Sequence, residues 1–104
     1  MDKYQIQFSN ESKLDIDELT NYIKNEFESI ELAEEYHDDL MSDIKGLEEL
    51  PNRFERIIVK KYKNDILRRL VHKNFLVFYL VDDDKKEVNI VRVLYGGSNW
   101  TKKL

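Results

Sequence analysis

Apolar and polar residues alternate with period two over KYQIQFS, residues 3–9, with Tyr4, Ile6 and Phe8 on one side and Lys3, Gln5 and Gln7 on the other. That pattern predicts a half-buried strand. The period then changes. Ile16, Leu19, Ile23 and Phe27 recur at helical spacing with Tyr22 beside them, which predicts a first helix with these residues on its core face. Ser12, with Asp15 three residues on, is its expected capping box. Asn25 to Ser29 breaks the pattern, and Ser29 suits the cap of a second helix. There Ala33, Tyr36, Leu40, Ile44 and Leu47 form the apolar stripe, with Glu31, Glu34, Glu35, Asp38, Asp39 and Asp43 mostly opposite. Leu50-Pro51 closes it, because the residue before proline is pushed out of the helical region. A short connection between two such helices predicts an antiparallel hairpin.

Downstream the runs shorten and become β-branched or aromatic: ILRRLV (66–71), NFLVFYLVD (74–82) and EVNIVRVLY (87–95), separated by the short polar turns His72-Lys73 and Asp83 to Lys86. The middle run is apolar on both faces, as a strand central to its sheet requires. Turns this short join antiparallel neighbours, so residues 66–95 read as a three-stranded meander. Residues 52–65 read as a loop carrying a short strand at Ile57 to Val59. The fold class is therefore α+β: strand, helix, helix and antiparallel meander, with the helices on one face of a twisted sheet. Nothing divides the chain, so residues 1–104 are expected to form a single domain.

Composition narrows the function classes. The absence of cysteine removes disulfides and thiolate metal ligands and fits a reducing compartment. No apolar run approaches a membrane span and Met1-Asp2-Lys3-Tyr4 opens no signal peptide, which makes a cytoplasmic location the expectation. The net charge of −4 conceals a split: residues 1–50 carry four Lys/Arg against fifteen Asp/Glu, and residues 51–104 carry thirteen against six. An acidic half joined to a basic half fits contact with nucleic acid or an acidic partner through the basic half; it also fits charges kept for solubility alone. The helix carboxylates have no metal-ligand spacing and read as a solvated face.

The order YQIQFS, amphipathic helix pair, LP, RRLVHKNFLVFYLVD and VNIVRVLYGGSNW resembles the RelE/ParE superfamily of toxins from bacterial type II toxin–antitoxin modules. The resemblance covers nearly the whole chain and rests on a fold signature rather than a chemical motif. It implies a compact toxin domain, an antitoxin partner whose extended or helical segment wraps and silences it in a hetero-oligomer, and no cofactor or metal. It leaves three activities open. A ParE-like toxin poisons DNA gyrase by binding. A RelE-like toxin enters the ribosome and cuts mRNA without a metal. An inactive member serves only as the antitoxin's partner in repression.

Metal-free RNA cleavage needs a base for the 2′-OH proton, an acid for the leaving oxygen and cations for the phosphorane. Arg69, Tyr95 and His72 are the candidates by type: a strand cation, a phenol near the end of the last strand, and an imidazole in a turn, whose alternative reading is an exposed turn residue. Arg68 and Arg69 are neighbours on one strand, so only one of them can face a common cleft. Cleaving members carry arginine where this chain has Leu76, and again near Gly97. Lys60, Lys61 and Lys63 are candidates for holding a target, and so is Trp100, which is expected to fold back over the sheet. His37 reads as a surface residue paired with a neighbouring carboxylate. Gly96-Gly97 follows a strand but opens no helix, so it is a turn and not a phosphate cradle.

Overall fold

The computed structural model describes residues 3–104; Met1 and Asp2, part of the segment read as lacking a signal peptide, lie outside the described residues. In chain order the elements are β1 (Gln5–Phe8), α1 (Asn10–Glu26), α2 (Ile30–Lys45), β2 (Glu55–Ile57), β3 (Leu67–His72), β4 (Phe75–Asp82), β5 (Glu87–Tyr95) and a short α3 (Trp100–Lys103). Single 3-10 turns at Gly46–Glu48, Pro51–Arg53 and Lys60–Tyr62 fill the connections. The α+β class and the strand–helix–helix–meander order agree with the sequence pattern. The sheet is larger than the meander, with five strands in the order β1-β5-β4-β3-β2. β1 returns alongside β5 in parallel, and β2 pairs antiparallel with β3 at the opposite edge.

β4 lies at the centre and is apolar on both faces, as its sequence requires: Val77, Phe78 and Tyr79 are fully buried. On the helix side Val77 and Tyr79 pack with Val88 and Ile90 of β5 against Ile16, Leu19 and Ile23 of α1 and Leu40 and Ile44 of α2. On the far side Leu76 and Phe78 join Leu67 and Leu94, covered by Ile57, Val59, Tyr62, Trp100 and Leu104. Burying a side chain of this size stabilises the fold by about 1.5–3 kcal/mol, and β4 collects such terms on both its faces.

Several local expectations are corrected. The α1 cap is Ser9, whose Oγ accepts from Ser12 N–H at 3.0 Å, while Ser12 is buried inside the helix and its hydroxyl donates to the Ser9 carbonyl at 2.8 Å. Phe27 and Tyr22 are not core: each is 60% exposed, and Phe27 falls just past the last turn of α1, which ends at Glu26. Ser29 does cap α2, accepting from Leu32 N–H at 3.0 Å. Leu50 does leave the right-handed helical region, as expected, into the left-handed one at φ 50° and ψ 52°. Arg53 steadies that turn by donating to the carbonyls of Glu49 and Leu50. The strand expected at Ile57 to Val59 lies at Glu55–Ile57, and β3 and β4 each begin one residue later than expected.

One irregularity decides which residues face the helices. Phe78 pairs with Arg92 while Tyr79 pairs with Ile90, so Val91 is an extra residue in β5. Such a bulge shifts the phase of the strand. Before it Val88 and Ile90 face the helices; after it Val93 does.

Candidate functional site

Arg69 and Trp100 meet on the far side of the sheet. Arg69 stands on β3 opposite Phe78 of β4. The Trp100 ring lies 5.1 Å from that of Phe78, and the Arg69 guanidinium sits 5.7 Å from the Trp100 ring. Glu55 Oε2 accepts from Arg69 Nη2 at 2.8 Å and from Nε at 3.2 Å. The neighbouring Arg68 points the other way, as strand alternation demands, and donates to the Phe54 carbonyl at 2.7 Å. Beside it the Tyr79 hydroxyl donates to the Pro51 carbonyl at 2.7 Å, and burial pushes this phenol's pKa up to about 12.

His72 and Tyr95 lie on the helix side. His72 is not an exposed turn residue: it is the last residue of β3, buried, with Nδ1 2.5 Å from Asp43 Oδ2 on α2. Its Nε2 is buried without a partner. The Tyr36 ring meets that of His72 edge-on at 5.6 Å, and Phe75 lies between Tyr36 and Tyr95 at 6.1 and 5.7 Å. The structure therefore brings His72 and Tyr95 into one aromatic row, with the Phe75 ring between them, and puts Arg69 on the opposite face. His37 sits on the surface 3.4 Å from Asp38.

Tyr95 borders a groove of about 1090 Å³ between α1, the start of α2 and the adjoining ends of β4 and β5. Its apolar wall includes Tyr22, Phe27, Leu32 and Phe75, and its rim carries both signs of charge, Asp15 and Glu18 with Arg92 and Lys103. Sequence periodicity missed this site because Tyr22 and Phe27 share the spacing of the α1 core stripe. Their spacing is that of core residues, yet both are exposed.

The glycines after β5 have a steric role. Neither glycine has positive φ, and a Cβ placed on Gly97 would stand 2.5 Å from Cε2 of Tyr95. The ring of Tyr95 fills the space into which a side chain at position 97 would begin. Gly96 N–H donates to the Asn74 carbonyl at 2.8 Å, closing the turn onto β4.

The three lysines lie at the β2 edge. Lys60 and Lys61 are in the 3-10 turn after β2 and Lys63 follows it, all exposed. Trp100 is not among them; it belongs with Arg69. Sequence reasoning also missed a clamp at the other end of the sheet. Asp15 of α1 accepts from Arg92 Nε and Nη2 at 2.8 and 2.9 Å and from Val93 N–H at 2.9 Å. Arg92 Nη1 donates to the Lys103 carbonyl at 2.7 Å, so one guanidinium ties helix, sheet and C-terminal segment. The Asp15 hydrogen bonds hold the Arg92 pKa above its ordinary value. Among the described residues no group of three or more His, Asp or Glu is arranged to hold a metal ion, and no helix is long and apolar enough to cross a membrane.

This fold is similar to that of solved toxin–antitoxin structures. The "Chromosomal ParDE TA system from P. aeruginosa" matches at TM-score 0.73 and 18% identity, over 89% of this chain and 96% of that one. The RelE–RelB complex of the archaeon Pyrococcus horikoshii matches at 0.63 and 15%, over 91% and 97%. The RelBE2 toxin–antitoxin complex of Mycobacterium tuberculosis matches at 0.58 and 17%, over 89% and 98%. The fold is thus that of the RelE/ParE toxins. A search of curated proteins returned no match. Residues 6–100 match the family model of the ParE toxin of the type II toxin–antitoxin system parDE, and the chain belongs to that family.

Proposed function

We propose that this toxin inhibits growth by binding a protein target, with DNA gyrase the one expected for a ParE-like member, and that a cognate antitoxin silences it. The observation that carries the first part is the separation of Arg69 from His72 and Tyr95 by the thickness of the sheet. A base, an acid and a cation must surround one phosphate to cleave RNA. Here the imidazole Nδ1 is held by Asp43 under α2, and Arg69 is engaged by Glu55. Leu76 is buried, and the Tyr95 ring occupies the space beside Gly97.

The second part is supported by the groove beside Tyr95 and by the complexes in which its structural neighbours occur. Exposed Tyr22, Phe27 and Leu32 give an amphipathic helix or extended segment apolar pockets to fill. Inducing the chain alone in a bacterial host should arrest growth, and the small open reading frame beside its gene should restore it when co-expressed. After induction, an SOS response with intact mRNA is the expected result. Cuts within translated codons in primer extension would overturn the binding mechanism in favour of ribosome-dependent cleavage. Normal growth with folded protein would leave only the antitoxin-binding co-repressor.

A further inference from the structure

The free edge of the sheet at β2 carries a feature that neither the groove nor the Arg69–Trp100 pair accounts for. β2 is paired only with β3, so its outer side presents unpaired backbone groups. Ile57 and Val59 turn inward onto the far-side cluster, and Ile58 between them is 82% exposed. Arg56 before it and Lys60, Lys61 and Lys63 after it are all exposed, and none has a carboxylate within ion-pair distance among the described residues. Residues 53–63 hold five Lys/Arg and the single carboxylate of Glu55, which Arg69 already engages.

Lysines on an edge strand commonly serve to block pairing with other chains. An edge kept only for that purpose gains nothing from an isoleucine held almost wholly in water. A β-branched anchor on an open edge, flanked along the chain by cations without carboxylate partners, is the arrangement that receives an extended acidic strand.

We infer that the β2 edge, with Ile58 as its apolar anchor and Arg56, Lys60, Lys61 and Lys63 flanking it along the chain, docks an extended acidic segment of the toxin's protein target by strand addition. This rests on the binding mechanism proposed above and adds the chemistry of the segment. Charge assigns the occupant. The groove beside Tyr95 is apolar with both signs of charge at its rim and suits an amphipathic antitoxin segment, whereas the β2 edge is basic and suits an acidic one. The two faces then serve two different partners.

The full chain is induced in a bacterial host as wild type, Ile58→Asp, Ile58→Lys and the double change Lys60→Glu with Lys61→Glu, and co-purification with the antitoxin reports folding. Loss of an anchor residue weakens a protein interface about tenfold or more. Ile58→Asp and the double lysine change are therefore expected to raise the inducer needed for arrest by at least that factor, with antitoxin binding intact. Ile58→Lys is the discriminating variant. It adds a cation but removes the apolar anchor, so it should lose arrest if the partner is a peptide strand. Arrest retained by Ile58→Lys but lost by the double lysine change would assign the edge to a nucleic acid and overturn the inference. Wild-type arrest in all variants would overturn it as well. A wild type that binds antitoxin yet arrests nothing would remove the binding mechanism itself, and this docking site with it.

Discussion

The two faces of β4 are built to different specifications. On the helix side thirteen buried residues form one cluster, closed by α1 and α2. On the far side there are four, covered by the β2 edge, a 3-10 turn and the last five residues. The thick layer carries most of the burial that holds the fold together. The thin layer leaves charged groups such as Arg69 within reach of solvent at little cost to the core. The helix side also contains the exposed aromatic groove, but that groove lies at the rim of the layer, where α1 has ended.

The comparison can be broken first at the thick layer. Leu40 is fully buried between α2 and the sheet, and Leu40→Ala should destabilise the protein by about 2–5 kcal/mol in urea denaturation. Trp100 is only partly covered and lies on Phe78 from a four-residue helix. Trp100→Ala should cost clearly less than Leu40→Ala. Equal losses would mean that the far side carries as much of the fold as the helix side.

The second test concerns the clamp that joins the layers. Asp15 accepts three hydrogen bonds and its side chain is 9% exposed, while that of Arg92 is 24% exposed. Removing the carboxylate leaves the guanidinium without its partner and the Val93 amide unpaired at the open edge of β5. Asp15→Ala should cost about 2–3 kcal/mol, below the full penalty of a buried ion pair because Arg92 can reach water. A double-mutant cycle with Arg92→Ala measures the coupling directly. If Asp15→Ala changed stability no more than an average surface substitution, the clamp would be ornamental to the fold.

How much of this was legible beforehand follows from the range of the forces involved. The meander, the α2 stripe and the buried centre of β4 were legible because each depends on local periodicity. Long-range pairing was not. Nothing in QIQF announces that it will lie parallel to β5, and nothing in Asp15 announces Arg92, 77 positions away. The bulge at Val91 is equally silent, yet it moves Val93 to the helix side. The site candidates fared according to the same division. Alternation correctly separated Arg68 from Arg69, a local inference. His72 was misread because its burial is imposed by α2 from across the fold. Phe27 was misread because the helix ended one residue before it.

A third, smaller test uses pH. The Tyr79 phenol is pushed up to about 12 by burial, from an ordinary value near 10. The folded state therefore holds this proton more tightly than the unfolded state. Its contribution is fully present below pH 10 and is lost as pH rises from about 10 to about 12, by up to about 2–3 kcal/mol. Tyr79→Phe removes that slope from the alkaline unfolding curve. At neutral pH it should still cost about 1–2 kcal/mol, because the Pro51 carbonyl loses its donor. An unchanged alkaline slope would mean that other tyrosines, not Tyr79, govern it.

The smallest effect on stability is the most informative about the thin layer. Glu55 is 61% exposed and Arg69 is 24% exposed, so solvent screens their ion pair, and the coupling should be about 0.5 kcal/mol in a double-mutant cycle. The guanidinium's position over Trp100 adds about 0.5–1 kcal/mol. Arg69→Ala should thus lower stability by about 1–1.5 kcal/mol, below the loss expected for Leu40→Ala. If Arg69 acts only by holding Trp100 in place, Arg69→Lys should restore most of that loss and leave growth arrest at the wild-type level. If the target reads the guanidinium itself, Arg69→Lys should restore stability but not arrest, because an ammonium cannot present the planar fork. The ratio of the two readouts separates a residue that supports the far side from one that the far side exists to display.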